Sequence, residues 1–531
     1  MNSPSVCLPP ERVARCRRRT TWFLFLALLV FHLGFQAMHG AWTSDLGGDP
    51  DEASHAVTSL MLRDCLIGGW QQSPQTFAQN YYAAFPKVAL GHYPPGYYLL
   101  AGLWLLPCAS IKSLFVLQCV LAAALGTLIY RLASRMLPVP AALAAGLLSG
   151  VLPFTLKQAQ FVMSDLLLGV LCLTATMAWS DYLCRPTKRR ALAFGLLAAF
   201  AILTKGSALA LCLVPPVATI LAGRWRLIKQ PSWWLSALPV ALLAGPWMLF
   251  TSHITSEGLT HQPLLAYVKD AVLFYSTSMP QVLGWPLFGC FLVGLALILR
   301  NCVRTPQTSA LLASIIGLLA GTTAVCLFIP TGLSTRYLLP VIPVLLIASV
   351  TAVNAIGSRL GKARWLAFYA IMLAAFSMTP RWPEKQVSGF SAAVMTSGVP
   401  QREASPQSWL VAADPRGEGA VIAAAAFNCP QRSPSLLHIY RGSKELSTSD
   451  WLGRGYTLTF ADESNLLSHL DERKIRRIFI DLSGESAQRK EHEAQLRQAL
   501  DHASDRWTLD FVQPIMRSPA ASGEMLVYKR R

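Results

Sequence analysis

In the stretch GGDPDEASH (residues 47–55), Asp49, Asp51 and Glu52 place three carboxylates within four positions, and His55 follows Asp51 by about one helical turn. Carboxylates spaced this way can take a proton from a hydroxyl, orient a nucleophile, or share a divalent metal with a neighbouring imidazole. Three further charges stand alone in apolar surroundings: Asp165 in QAQFVMSDLLLGV, Lys205 in AILTKGSALA and Arg336 in GLSTRYLLP. The segment FPKVALGHYPPGYY adds Lys87, His92 and Tyr93. Cations converging on carboxylates suit a reaction in which negative charge develops on a phosphate leaving group. Each residue also has a plainer reading. Asp49 before Pro50 suits a turn, and Asp51 and Asp165 suit helix N-caps. Lys205 and Arg336 suit cations reaching for lipid headgroups, and His55 a hydrogen-bonded imidazole.

The elements that position these groups are membrane segments. The chain has 531 residues, of which 53% are hydrophobic and 14% charged, with mean hydropathy +0.40; an average soluble domain is about 25% charged. Apolar runs occupy 21–38, 113–131, 138–155, 165–183, 190–204, 207–222, 233–251, 285–299, 308–329, 337–354 and 363–379, which predicts eleven spans. The run 95–107 is short and bracketed by prolines, and is expected to lie in or dip into the outer interface. The net charge of +18 is concentrated in short basic loops: RLASRM (131–136), CRPTKRR (184–190), GRWRLIK (223–229), RNCVR (300–304) and SRLGKAR (358–364). With the N-terminus inside, all five fall on the cytoplasmic side, so the charge reflects orientation and not nucleic-acid binding. Trp42, Tyr97 and Trp285 near the span ends read as interface anchors. The cysteines show no CxxC pair or metal-ligand spacing.

This arrangement predicts a basic cytoplasmic tail (1–20), a membrane domain (21–379) with a large first outer loop (39–112), and an outer α/β domain (380–531). Strands are expected at 408–414, 476–483, 508–513 and 524–529, and helices at 417–427, 463–472 and 486–503. DPRGEG (414–419) reads as a strand-to-helix turn. Asp51, Glu52, Asp165, Lys205 and Arg336 then all lie at the outer face. Charges beside a span are costly, and basic ones on that side oppose the usual bias, so Lys205 and Arg336 call for an anionic partner.

The segments PDEASHAVTSLMLRD (50–64), HYPPGYYLL (92–100), VMSD (162–165), LTKG (203–206) and STRYLLPVIPVLL (334–346) together resemble the GT-C superfamily of membrane glycosyltransferases. They are most similar to the protein O-mannosyltransferase and aminoarabinose-transferase branch, family 39-like. The resemblance implies a polytopic helical enzyme of the bacterial inner membrane that inverts the sugar of a polyprenyl-phosphate donor. The acceptor would be a hydroxyl of a protein, lipid or glycan at the periplasmic face. It implies that Asp51 is the base, with Glu52 its acidic neighbour and Asp165 the second acid, and that Arg336 and Lys205 hold the donor phosphate. The family's lysine near the Pro-Pro pair is missing here, where Tyr93 precedes the prolines and Gly96-Tyr97-Tyr98 follows; His92 and Lys87 are the candidates for that contact. The resemblance names no certain cofactor and leaves metal dependence open, a divalent metal at Asp51 and His55 being compatible with it. The alternative is a lipid or sugar-lipid flippase, which would favour charges at mid-membrane and a visible repeat. A membrane-tethered sensor would leave the shared outer face of the charges unexplained.

Overall fold

A computed structural model describes residues 10–304, 309–357, 382–400, 405–430, 432, 436–450, 453–484 and 490–531. Among them, five helices are long and apolar enough to cross a membrane: Arg18–Met38, Ile111–Ala133, Asp165–Cys184, Ala310–Phe328 and Thr335–Gly357. Two bent pairs raise the number to seven if each is one span: Val139–Val151 with Pro153–Ala159, at 54°, and Leu264–Leu283 with Trp285–Arg300, at 111°. Eleven apolar runs therefore do not give eleven straight helices. Prolines at 153, 215, 216, 239 and 246 interrupt several of them, because a ring nitrogen cannot donate to the helix ladder. The runs at 207–222 and 233–251 become the short helices Gly206–Leu221 and Val240–Phe250, and 190–204 forms the 17-residue helix Lys188–Thr204. The run 363–379 lies outside the described residues. Leu264–Leu283 was not foreseen, because Lys269, Asp270 and Pro280 break its apolar pattern. The segment at 95–107 forms Gly96–Trp104, nine residues long and too short to cross.

Helix direction separates the charges. Asp165 begins the helix Asp165–Cys184, and near its far end Asp181 gathers the basic loops. Arg135 Nη1 lies 2.8 Å from Asp181 Oδ1, and Arg190 Nη1 donates to Asp181 O at 2.7 Å. Twenty residues at 1.5 Å each put these arginines roughly 25–30 Å from Asp165. The two ends of the bundle are thus chemically different, one basic and one carrying the acid cluster.

The chain after 404 forms a five-stranded sheet from β1 (Gln407–Ala412), β2 (Leu437–Arg441), β3 (Arg477–Asp481), β4 (Trp507–Ser518) and β5 (Ala521–Arg530). Their order is β2-β1-β3-β5-β4; β2, β1 and β3 are parallel, and β5 and β4 antiparallel. Helices Pro415–Asn428, Glu463–Glu472 and Glu491–His502 follow the sequence reading, whereas β2 had not been anticipated. Asp414 caps the first of these helices by accepting from Gly417 N at 2.8 Å, so DPRGEG is a strand-to-helix turn.

This domain is seated on the first loop. Its helix Pro415–Asn428 lies on the loop helix Glu52–Gly68, where Gly419 approaches Ala53 so closely that an added Cβ would stand 2.9 Å from the Ala53 methyl. Arg432 pairs with Asp64 at 3.2 Å, and Ser391 donates from its hydroxyl and its amide to Asp45. At the centre, Lys385 pairs with Glu52. The lysine and glutamate side chains are 1% and 0% exposed, and the ammonium also lies 4.4 Å from the Phe115 ring centre. A buried charge left alone is strongly destabilising. Lys385→Met should therefore lower stability by about 3 kcal/mol, and Glu52→Gln in the same background should recover part of that loss. Thermal unfolding of the two purified variants in detergent tests this; equal melting of Lys385→Met and wild type would refute it.

Candidate functional site

The geometry of GGDPDEASH follows from how its carboxylates divide the work. Glu52 is turned inward: Oε2 accepts from Gly47 N and Gly48 N, both at 3.1 Å, and Oε1 accepts from Val162 N at 3.2 Å and from Lys385. Gly47 sits at φ +136°, and a Cβ on Gly48 would collide with the Phe161 ring, so two glycines let the backbone wrap this carboxylate. Asp49 Oδ1 accepts from Asp51 N at 3.0 Å, the Asx turn expected of Asp-Pro. Asp51 stands at the N-cap position but its side chain caps nothing. Its Oδ2 accepts instead from Tyr93 Oη at 2.8 Å and Arg336 Nη2 at 3.0 Å.

Arg336 opens the turn Thr335–Val341. Nη1 lies 3.8 Å from Asp49, and Nε and Nη1 are buried with no hydrogen-bond partner among the described residues. Beside this pair, Lys205 Nζ meets Asp165 Oδ1 at 2.6 Å, with both side chains nearly inaccessible. The two antiparallel helices explain this contact. Asp165 begins one helix and Lys205 follows the last turn of the other, so each charge suits the dipole end it occupies. Asp165 Oδ2 is buried and unpartnered among the described residues. Tyr337 joins the two pairs: its ring centre is 5.1 Å from Lys205 Nζ and 6.0 Å from the Arg336 guanidinium carbon.

His55 lies within electrostatic reach of Asp51, Asp165, Lys205 and Arg336 together. Burial pushes its imidazole down to about 4, leaving it neutral near pH 7. Nδ1 is 3.0 Å from Tyr98 Oη, the Tyr93 ring packs edge-on at 4.7 Å, and Nε2 is buried without a partner among the described residues. Burial would raise the Asp51 carboxyl, but the Arg336 charge and the Tyr93 hydrogen bond outweigh it and hold the group below its ordinary value. Asp49 is pushed the other way by burial and by the charge on Asp51.

The structure thus brings together Asp51, Asp165, Lys205 and Arg336 around His55, with Glu52 behind them. Lys87 is directed elsewhere: it is buried at the domain junction and donates to Pro415 O at 3.1 Å, and burial lowers its ammonium to about 8. His92 is partly exposed, one residue before the tyrosine that holds Asp51. Among the described residues no group of three or more His, Cys, Asp or Glu side chains is arranged to hold a metal. Asp51 and His55 alone make an incomplete ligand set. Tyr337 and Lys385 were not singled out from the sequence. Tyr337 was legible as the neighbour of Arg336, whereas Lys385 in RWPEKQV carries no local signal.

Residues 92–250 match the family described as dolichyl-phosphate-mannose-protein mannosyltransferase, a stretch that includes Tyr93, Asp165 and Lys205. No curated protein matches the whole sequence significantly. Among solved structures, ArnT from Cupriavidus metallidurans bound to undecaprenyl phosphate is 19% identical, with a TM-score of 0.47 over 66% of this chain; the match spans 62% of that protein's length. The oligosaccharyltransferase AglB from Archaeoglobus fulgidus, in complex with an inhibitory peptide and a dolichol-phosphate, is 12% identical with a TM-score of 0.53, covering 96% of this chain and 74% of its own. The same archaeal enzyme tethered to an acceptor peptide gives 13% identity and a TM-score of 0.50 over 94% of this chain. At these identities the likeness is one of fold, and the resemblance to the GT-C superfamily is borne out.

The Asp51–Arg336 pair predicts a specific pH dependence. In wild type the depressed Asp51 carboxyl contributes stability above its unfolded value of 3.8, which is lost as pH falls through the lower folded value. In Arg336→Gln burial prevails and the carboxyl rises, so acidification restores stability to the variant. The melting-temperature gap between wild type and Arg336→Gln should therefore narrow from pH 7 to pH 4. A gap independent of pH would show that Arg336 does not set the state of Asp51.

Proposed function

We propose that this GT-C-fold chain is an inverting glycosyltransferase of the bacterial inner membrane, taking its sugar from a polyprenyl monophosphate at the periplasmic face. The observation that carries the proposal is the pairing of two carboxylates with two cations around His55, with Arg336 Nε and Nη1 and one oxygen of Asp165 left without partners among the described residues. A resting site of mutually compensated charges becomes a binding site when an anion shares the cations. A donor phosphate would accept from Arg336 and Lys205, loosening their hold on Asp51 and Asp165. The match of residues 92–250 to mannosyltransferases and the fold shared with an oligosaccharyltransferase support this chemistry over lipid transport.

In the proposed reaction the acceptor oxygen attacks the anomeric carbon from the side opposite the phosphate. A new C–O bond forms there as the anomeric carbon–phosphate oxygen bond breaks. The bonding pair leaves on the lipid phosphate, where Arg336 and Lys205 stabilise it. The hydroxyl proton passes to Asp51, which its low proton affinity keeps ionised at neutral pH. Tyr93 and Arg336 fix the direction of that carboxylate, and Glu52 fixes the loop that carries it. His92, one residue before Tyr93, is kept as a candidate for a further phosphate contact in the first loop, whereas Lys87 donates to Pro415 O in the C-terminal domain. The sugar is a hexose or pentose, and the acceptor a hydroxyl of protein, lipid or glycan.

Asp51→Asn should lower turnover by roughly 10²–10⁴-fold, the usual contribution of a positioned base, while lipid-phosphate binding persists. Arg336→Gln should weaken that binding as well. The measurement is transfer of radiolabel from polyprenyl-phosphate mannose, glucose and aminoarabinose into a periplasmic extract, alongside undecaprenyl-phosphate binding. Full transfer by Asp51→Asn would remove Asp51 as base. Lipid movement across vesicles by wild type, without transfer from any donor, would favour the flippase.

A further inference from the structure

The basic end of the bundle holds a feature that sugar transfer does not use. Between the first helix, Pro10–Met38, and the helix Ile111–Ala133 lies a cavity of about 770 Å³. Its volume falls within the range of roughly 300–1,000 Å³ typical of small-molecule sites. Arg18, Arg131 and Arg135 stand around it, and no acidic residue lines it. Arg135 pairs outward with Asp181 at 2.8 Å, while Arg18 and Arg131 are exposed. Inside, Tyr130 is 1% exposed, yet its hydroxyl has no hydrogen-bond partner among the described residues. A buried hydroxyl without a partner is costly, and a polar ligand here would satisfy it. Thr127 and Ser134, whose hydroxyls donate to Ala123 O and Arg131 O, add acceptor oxygens to the wall. Trp22, 59% exposed, borders the cavity as an interface aromatic would.

We infer that this cavity binds the headgroup of an anionic phospholipid, of the phosphodiester class with a hydroxylated headgroup such as phosphatidylglycerol. The guanidinium groups match phosphate oxygens in charge and in fork geometry. The hydroxyl-bearing wall matches a polyol, and the volume exceeds what a terminal phosphate alone would fill. A choline headgroup would bring a cation towards three arginines. Basic pockets between membrane helices at the cytoplasmic face are suited to anionic headgroups; assigning the site to that leaflet rests on the topology proposed above. The site lies at the opposite end of the bundle from Asp51, so its occupancy can be tested without reference to transfer.

The experiment is native mass spectrometry of the full chain in detergent with phosphatidylglycerol, phosphatidylcholine of the same acyl chains, or undecaprenyl phosphate. Wild type should retain phosphatidylglycerol over phosphatidylcholine by roughly tenfold, a preference that Arg18→Gln combined with Arg131→Gln largely removes. Tyr130→Phe, nearly isosteric, should lower retention about threefold, whereas Arg189→Gln on a different basic loop should leave it unchanged. Phosphatidylglycerol should also raise the melting temperature of wild type, and less so that of Tyr130→Phe, which reports on the cavity if the double arginine variant fails to fold. Equal retention of the two phospholipids would overturn the inference. So would equal loss in Arg189→Gln, which indicates diffuse attraction, or displacement of phosphatidylglycerol by undecaprenyl phosphate, which would make the carrier lipid the occupant. Transfer activity is no part of the readout, so failure here leaves the transferase proposal standing.

Discussion

The arrangement of the end of the bundle that carries the acid cluster depends on one buried carboxylate. Glu52 receives two amides from the glycine turn before it, one from Val162 beside the second acid, and the ammonium of Lys385 from beyond the membrane domain. Four donors meet the requirement that a desolvated carboxylate be hydrogen-bonded and charge-compensated. They come from three distant parts of the chain, so Glu52 sets the first loop, the start of the helix at Asp165 and the seat of the C-terminal domain relative to one another. Asp51 is the next residue in sequence, and the backbone fixed by Glu52 sets where its side chain emerges. Two adjacent acids thus divide between holding the loop and presenting a carboxylate.

Charge compensation extends outward from that point in a graded way. Glu52 and Lys385 are sealed, Asp165 and Lys205 are sealed but leave one carboxylate oxygen unmatched, and Asp51 and Arg336 are partly open with guanidinium nitrogens unmatched. The capacity to exchange partners rises along this series, because a saturated pair has nothing to offer a ligand and an unsatisfied donor does. His55, kept neutral by burial, sits among these charges without adding another. Tyr337 gives both cations an aromatic face and helps keep them close despite their like charge.

The sequence made some of this legible and hid the rest for physical reasons. Asp51, Asp165, Lys205 and Arg336 stood out because an ionised group beside an apolar run is expensive, and the loop charges ordered them onto one face. Four of the five strands of the main C-terminal sheet, and the helices Pro415–Asn428, Glu463–Glu472 and Glu491–His502, were readable from alternation and turn residues; the short pair Ser447–Thr448 and Thr457–Leu458 was not. The number of straight spans was not, because prolines divide apolar runs without changing their hydropathy, and Leu264–Leu283 carries charges that break the run. Nor was the Glu52–Lys385 pair, whose 333-residue separation leaves no local pattern. Lys87, offered by the resemblance as a stand-in for the family's lysine near the Pro-Pro pair, is directed by tertiary packing to a carbonyl of the next domain, a contact that no local pattern announces.

The seating of the C-terminal domain bears on how a substrate could enter. Helix Pro415–Asn428 rests on the start of the helix that follows Asp51, and Gly419 allows the close approach to Ala53. The contacts that fix it, Asp45 with Ser391, Asp64 with Arg432 and Lys87 with Pro415, all originate in the first loop. The first loop is therefore held from both sides, by the turn before the helix Asp165–Cys184 through Val162 and by the C-terminal part of the chain through Lys385. A loop restrained in this way presents Asp51 in one orientation, and preorganised charge is more effective than charge that must reorganise during the reaction. The domain therefore contributes rigidity to the loop that carries Asp51, and among its described residues none belongs to the charge pairs gathered around His55.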